Sequence, residues 1–491
     1  MKLTLIALGL VPALAAGSSF EYRSTHRALG RRAVKNAAQL AGITDANQEC
    51  KWYEDKTLAG MNFPKQSHIA SILDGDNDAW GVWNDIQKSG IIPSHVQVKG
   101  SASADHRGIS QDAQSSYDKS DPDCWWSNTQ CTKPKSKKIP EDIYKCDEPD
   151  TWGLTFDDGP NCSHNEFYNF LQQNKLRATL FYIGTYVVAY PYQAQRGITD
   201  GHDICVHTWS HRYMTTLSNE QVFAELYYTA KAIKAVAGIT PRCWRPPFGD
   251  VDDRVRAIAA GLGMRTILWQ EDTDDWSIDE GTPRSKIVGN YKKINSKADQ
   301  MSPIVLAHEL SQNTMGVFQQ MYSSVKQAYK NIVPITACMN VTNPYPEDIT
   351  YSTFEDFVGG NIDPKNKPDI STIKVDASAS FKPVALSKQT GKGSYASPGG
   401  SSGGSGSNSG NNSASSSASS SASNSSSSSS SSDASNSTDS QSASSAADAS
   451  GSSASSTSSS QDAASASGAS SLSVTVLYFT LTAAIVAGAF L

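Results

Sequence analysis

Two carboxylates stand side by side at Asp157 and Asp158, and two histidines, His207 and His211, follow at i, i+4 spacing. Two imidazoles and one carboxylate form the ligand set of a catalytic divalent metal, which keeps positions open for water and substrate. The histidine spacing puts both rings on one face if that segment turns as a helix. Spacing alone does not say which aspartate is the ligand and which has another task. Three later clusters, Arg245-Pro246-Pro247-Phe248-Gly249, Asp272-Thr273-Asp274-Asp275-Trp276 and Leu306-Ala307-His308, add a cation, more carboxylates and a third histidine. Each cluster has a bland reading: a polar turn, surface histidines, a rigid proline turn, an acidic loop, a core histidine. Five of them in order, each at or just past an apolar stretch, favour one shared rim.

Those apolar stretches are the elements that must position the clusters. Residues 152–156, 178–183, 203–206, 265–269 and 304–307 read as short strands. Helical spacing covers 165–174, 218–237 and 253–260. The second of these has Ser218 as N-cap, Gln221 completing a capping box, Leu217 and Val222 as hydrophobic staple, and Gly238 as stop. Alternating strands and helices imply a parallel sheet with helices outside, open or closed as a barrel, and such sheets place ligands at their strands' carboxyl ends. Asp74-Gly75-Asp76-Asn77-Asp78 resembles a calcium loop but lacks the required glutamate, so a solvated turn is expected. A Gly-x-Ser-x-Gly match between Gly399 and Gly404 lies in a low-complexity stretch and is compositional.

In order and content the five clusters resemble those of the NodB-type polysaccharide deacetylases, carbohydrate esterase family four, over about residues 146–340. With the terminal features below, the chain is similar to the fungal chitin deacetylases within that family. The resemblance implies a distorted (β/α) barrel. It implies one divalent metal, zinc with cobalt as the alternative, on Asp158, His207 and His211. Asp157 becomes the general base, oriented by Arg245, and His308 the general acid, its pKa raised by Asp275. The Phe248 main-chain N–H becomes an oxyanion donor, while Trp276 and Leu306 border the acetyl pocket. The family usually has Tyr where Phe248 stands, so a hydroxyl contact to the sugar would be lost. The implied substrate is chitin or chitin oligomers, converted to chitosan and acetate. The rival readings are a non-catalytic wall protein or carbohydrate-binding protein, and a deacetylase of another N-acetylglucosamine polymer.

The ends set the compartment. Residues 1–15 read as a secretory signal peptide: Met1-Lys2, an apolar run, then small residues at Ala13 and Ala15. Residues 394–471 form a Ser-rich stalk, disordered by composition, and 472–491 an apolar tail with the layout of a lipid-anchor (GPI) signal. The expectation is a secreted monomer held at the plasma membrane or wall by a lipid anchor. Asn161, Asn340, Asn411, Asn424 and Asn436 are N-glycosylation acceptors by motif, and the position of Asn161 beside Asp157-Asp158 argues against a glycan there. Arg31-Arg32 reads equally as a processing site, making a propeptide to about 32, or as a basic turn. Residues 16–145 are expected to be an extension packed on the catalytic domain, and 341–393 a second extension.

A net charge of −6 argues against a nucleic-acid partner. Eight cysteines behind a secretion signal imply disulfides. Two pairs can be suggested: Cys124 with Cys131, close within one loop, and Cys146 with Cys338, which flank the middle domain where first and last strands of a barrel would meet.

Overall fold

The computed structural model describes residues 34–51, 55–100, 109 and 111–398, all within one unit. The expected signal peptide, propeptide, tail and nearly all of the stalk, with Asn411, Asn424 and Asn436, lie outside the described residues.

Eight strands make one sheet: β1 (Thr151–Gly159), β2 (Thr179–Tyr182), β3 (Asp203–Val206), β4 (Cys243–Trp244), β5 (Arg265–Thr266), β6 (Glu271–Asp272), β7 (Ile304–Leu306) and β8 (Asn331–Val333). Their order is β5-β4-β3-β2-β1-β7-β6, with β8 also beside β1, and the pairings are parallel. The two edge strands, β5 and β6, are the ends of one stretch of chain, 265–272. That stretch crosses between the sheet's edges, and Ile143 bridges Ile267 within the crossing. The result is a distorted barrel. The strand expected over 265–269 is cut short at Thr266, because this segment leaves one edge to reach the other, where Glu271–Asp272 forms β6.

β1 is buried along its whole length and is the axis of the sheet. Parallel strands covered on both faces read as near-continuous apolar runs, and Phe156 on β1 packs edge-on against Phe167 and Phe318 of flanking helices. The helix Asn219–Ala237 has the capping box formed by Ser218 and Gln221. The helix Asp253–Gly261 is capped by Asp252.

Residues of the N-terminal extension share this core. Leu58, Ala70, Ile72, Trp83 and Ile86 belong to the cluster that contains the β1 side chains, and the Trp83 ring lies 5.3 Å from Phe223. The Asp74–Asp78 stretch is more than a solvated turn: Asp76 caps the helix Asn77–Lys88 and accepts from Lys231 Nζ at 2.8 Å. At the other end, Tyr395 is wholly buried and its hydroxyl donates to buried Asp203. The ordered fold therefore runs past 394, where the stalk was expected to begin.

Four disulfides join Cys50–Cys162, Cys124–Cys131, Cys146–Cys338 and Cys205–Cys243. The first ties the extension to the loop after β1. The third joins the strand-like segment before β1 to the segment after β8.

Gly159 closes β1 with no room for a side chain: a Cβ there would lie 1.5 Å from Oε1 of Glu309 and 2.9 Å from the Tyr182 ring. Glu309 is itself fully buried. Gly159→Ala should destabilise the protein by about 1–3 kcal/mol through overpacking, read as a lowered Tm in thermal denaturation. An unchanged Tm would show that the Glu309 side chain has slack.

Candidate active site

The five clusters occupy the carboxyl ends of β1, β3, β4, β6 and β7, the rim where barrels of this kind place their chemistry. Asp157 and Asp158 lie where the β1–β2 register slips, between Phe156 and Gly159. Asp158 takes a left-handed φ of 69°, and both carboxylates face one imidazole, with Asp157 Oδ2 3.7 Å from His207 Nε2. A parallel bridge pairs Asp157 with His308, with Asp157 N–H donating to Ala307 O at 2.9 Å and Glu309 N–H to Asp157 O at 3.0 Å. The β1–β7 ladder thus fixes the aspartate–histidine spacing through the main chain.

Asp157 is paired with Arg245, whose Nη1 donates to its Oδ1 at 2.7 Å and to Thr155 Oγ1 at 2.9 Å. The guanidinium is fully buried and lies 4.1 Å over the Phe181 ring. Burial pushes Arg245 below its ordinary pKa and the Asp157 charge pulls it back up; a guanidinium in this range keeps its charge.

On the other side, Asp158 Oδ1 lies 3.4 Å from His207 Nε2 and 3.2 Å from His211 Nε2. Burial alone would raise the Asp158 pKa, but the imidazoles, His211 foremost, outweigh it and hold the carboxyl well below its usual range. His207 Nδ1 is 2.8 Å from Arg245 O. A carbonyl only accepts, so Nδ1 carries the proton, and in the neutral ring Nε2 turns a bare lone pair toward Asp158. Asp158 Oδ1 is buried and has no hydrogen-bond partner. An orphaned carboxylate oxygen facing imidazole nitrogens, with the donor atoms all within 4.8 Å of one another, is a set that a divalent cation would satisfy.

The histidines do not share a helical turn, contrary to the i, i+4 expectation. Residues 207–213 form an irregular loop in which Thr208 and His211 have φ of 66° and 54°. Glu225 holds the loop, accepting from Ser210 N–H and Oγ, both at 2.7 Å, and from Ala70 N–H of the extension at 2.8 Å. Two other clusters that match metal-donor spacing, at Asp121 and Asp203, use disulfide-bonded cysteines as their remaining members, and a disulfide sulfur is not a thiolate ligand.

His308 is gripped twice by Asp275: its N–H donates to Oδ2 at 2.9 Å, and Nδ1 lies 2.6 Å from Oδ1. Burial would lower the His308 pKa, but the Asp275 charge and hydrogen bond, helped by Asp158 and Asp157, push it up to about 10. Trp276 and Phe248 are exposed at the rim, while Leu306 is buried at its floor. Phe248 has a φ of 58°, and its ring stacks on Tyr213 at 4.1 Å.

Asp157, Asp158, His207, His211, Phe248, Trp276, Leu306 and His308 line one cleft of about 1510 Å³, with Arg245 and Asp275 behind the residues they orient. Asn161 lies beside it, its Nδ2 donating to Leu310 O at 2.7 Å, so the atom a glycan would need is engaged. Asn340 follows β8 and the short helix Ile335–Cys338, and its Oδ1 accepts from Phe354 N–H.

Sequence reasoning missed Glu225, Tyr213 and the extension residues Trp126, Gln130 and Thr132, which also line the cleft. Glu225 left a trace, as an acid among Val222, Phe223, Ala224 and Leu226 on the buried helix. Cleft residues from the extension left none, because only the tertiary fold brings them to the rim.

A parallel barrel rim carrying a two-histidine, one-aspartate donor set beside separately partnered acid and base candidates defines a metal-dependent hydrolase. Residues 144–267 match the polysaccharide deacetylase family. The chain is 46% identical to chitin deacetylase 2 of Cryptococcus neoformans var. grubii over 344 residues, 68% of this chain and 74% of that protein. It is 50% identical to the chitin deacetylase of Amylomyces rouxii over 237 residues, 47% of this chain and 56% of that one. Among solved structures, the chitin deacetylase of Colletotrichum lindemuthianum matches at 26% identity and a TM-score of 0.39, over 42% of this chain and 96% of that one. The chain belongs to the polysaccharide deacetylase family, whose members are metal-dependent.

In the metal-free protein the His308 ring should stay protonated to about pH 10. Asp275→Asn should lower that midpoint by about 1–3 pH units, because an opposite charge at contact distance is removed. Histidine chemical shifts followed by NMR against pH give the number, and a midpoint that does not move would contradict the assignment of the rise to Asp275.

Proposed function

We propose that the protein hydrolyses the acetamide of N-acetylglucosamine residues in chitin, giving acetate and a free amine on the polymer. The observation that carries this reading is the donor geometry: Asp158 turns an unpartnered buried oxygen to two imidazoles, while Asp157 is ion-paired with a buried arginine and has its other oxygen 3.7 Å from His207 Nε2. The similarity to chitin deacetylases supports the choice of substrate. Four disulfides suit an extracellular compartment such as a cell wall. Among the described residues no helix is long and apolar enough to cross a membrane.

Asp158, His207 and His211 would hold one divalent cation, zinc first by donor type and cobalt as the alternative. When bound, that cation supplies Lewis-acid polarisation of the amide carbonyl and makes water a nucleophile near neutral pH. The chain's own groups do the rest. Asp157, ion-paired with Arg245, accepts the proton of the attacking water. The Phe248 main-chain N–H, presented by the tight Pro247–Gly249 turn, donates to the oxygen that becomes negative; one such donor is worth about 3 kcal/mol. His308, protonated against Asp275, delivers its proton to the departing nitrogen, without which the amine is a poor leaving group. Trp276 and Leu306 border the acetyl methyl and limit water there. Phe248 brings no hydroxyl, so the sugar is held at that point by ring contact.

Asp157→Asn should abolish acetate release from soluble chitin oligomers and leave the bound metal in place by elemental analysis. Turnover near the wild-type rate would remove Asp157 as the base. His207→Ala should lower both metal content and activity, and full metal occupancy in that variant would overturn the ligand assignment.

A further inference from the structure

The loop closed by Cys124–Cys131 has a built form that the hydrolytic step does not require. Two adjacent tryptophans on it have different fates. Trp125 is fully buried, and its Nε1 donates to Asp250 Oδ1 at 2.9 Å. Trp126 is half-buried and turns to the cleft. Asp250 also accepts from Ser127 Oγ at 2.7 Å and from Thr215 N–H at 2.8 Å, so one buried carboxylate locks this loop to the loop that follows His211. Arg256 grips both ends of the ring, donating to Cys124 O at 2.6 Å and Cys131 O at 2.8 Å. The Trp126 ring lies on the backbone of Gly249, where any Cβ would be 2.1 Å from it, and 4.8 Å from the Trp269 ring. Gly249 follows Phe248 directly, so the tryptophan pair begins where the hydrolytic rim ends. Gln130 of the same loop and Thr132 just after it also line the cleft, and both are uncharged.

A cleft of about 1510 Å³ exceeds the ~300–1,000 Å³ typical of a small-molecule pocket. Rigid aromatic rings with neutral hydrogen-bonding groups suit a neutral sugar, whose apolar C–H face stacks on a ring while its edge offers hydroxyls and amides. We propose that this extension loop builds an added sugar-binding subsite, with Trp126 and Trp269 as platform and Gln130 and Thr132 as polar contacts, for a chitin residue beyond the one that is hydrolysed. The proposal rests on the deacetylase reading and deepens it: the loop makes the enzyme favour longer oligomers.

The test compares fully acetylated chitin dimer and pentamer on wild type, Trp126→Ala and Trp126→Phe. Trp126→Ala should lower the pentamer-to-dimer ratio of kcat/KM about tenfold, the size expected for one lost stacking contact, with the change mainly in KM. Trp126→Phe keeps a ring and should restore most of the ratio. An unchanged ratio, or equal losses on both oligomers, would overturn the subsite. Isothermal titration of the two oligomers into the same three proteins gives the same ratio for affinity. A wild type that binds but releases no acetate from either oligomer would overturn the deacetylase reading, while the titration would still decide the subsite.

Discussion

Two neighbouring carboxylates stand at the end of a fully buried strand, and the rest of the site follows from how they are partnered. A buried carboxylate without partners takes up a proton. Here the two aspartates share His207, whose Nε2 lies 3.7 Å from Asp157 Oδ2 and 3.4 Å from Asp158 Oδ1, and differ in their other partner. Asp157 adds Arg245, and Asp158 adds the imidazole of His211. Asp158 adopts a left-handed backbone at a slip in the β1–β2 pairing, and from there both neighbouring carboxylates reach His207. Removing either partner would strand a buried charge, which is far costlier than the net worth of the pair.

Those partners need scaffolding of their own. Arg245 is held between Phe181 and Trp269 at the end of β4. His207 is fixed in one tautomer by the carbonyl of Arg245, so the residue that orients the base candidate also orients a ligand candidate. The loop that carries both histidines is pinned by Glu225 and Asp250, two buried acids with no place in the hydrolytic step. Both acids also bind the N-terminal extension, through Ala70 and Trp125. The extension is thus part of the machinery that keeps the rim in shape, beyond merely covering the barrel.

The sequence made the barrel's repeat legible wherever hydrophobic runs and caps were strong, as for β3 and the helix after Ser218. The five clusters were legible because their residue types are chemically loaded and each follows an apolar stretch. Three things were not. The histidine pair looked helical because i, i+4 spacing is a helix signature, yet positive φ at Thr208 and His211 brings the rings together without one. The division between Asp157 and Asp158 depends on a register slip that no residue pattern announces. The extension's contribution was invisible because Trp125 and Trp126 read only as part of a disulfide-linked loop until Asp250, more than a hundred residues away, is seen to hold it.

The central claim is that an amide is hydrolysed at a site needing both a cation and the chain's own acid and base. The most direct measurement is acetate release from a defined, fully acetylated chitin oligomer by the purified protein, before and after a strong chelator and again after added zinc. The account predicts acetate and free amine in equal amounts, loss of both on chelation and recovery of both with the metal. Release that ignores the chelator, or no release with zinc supplied, would contradict it.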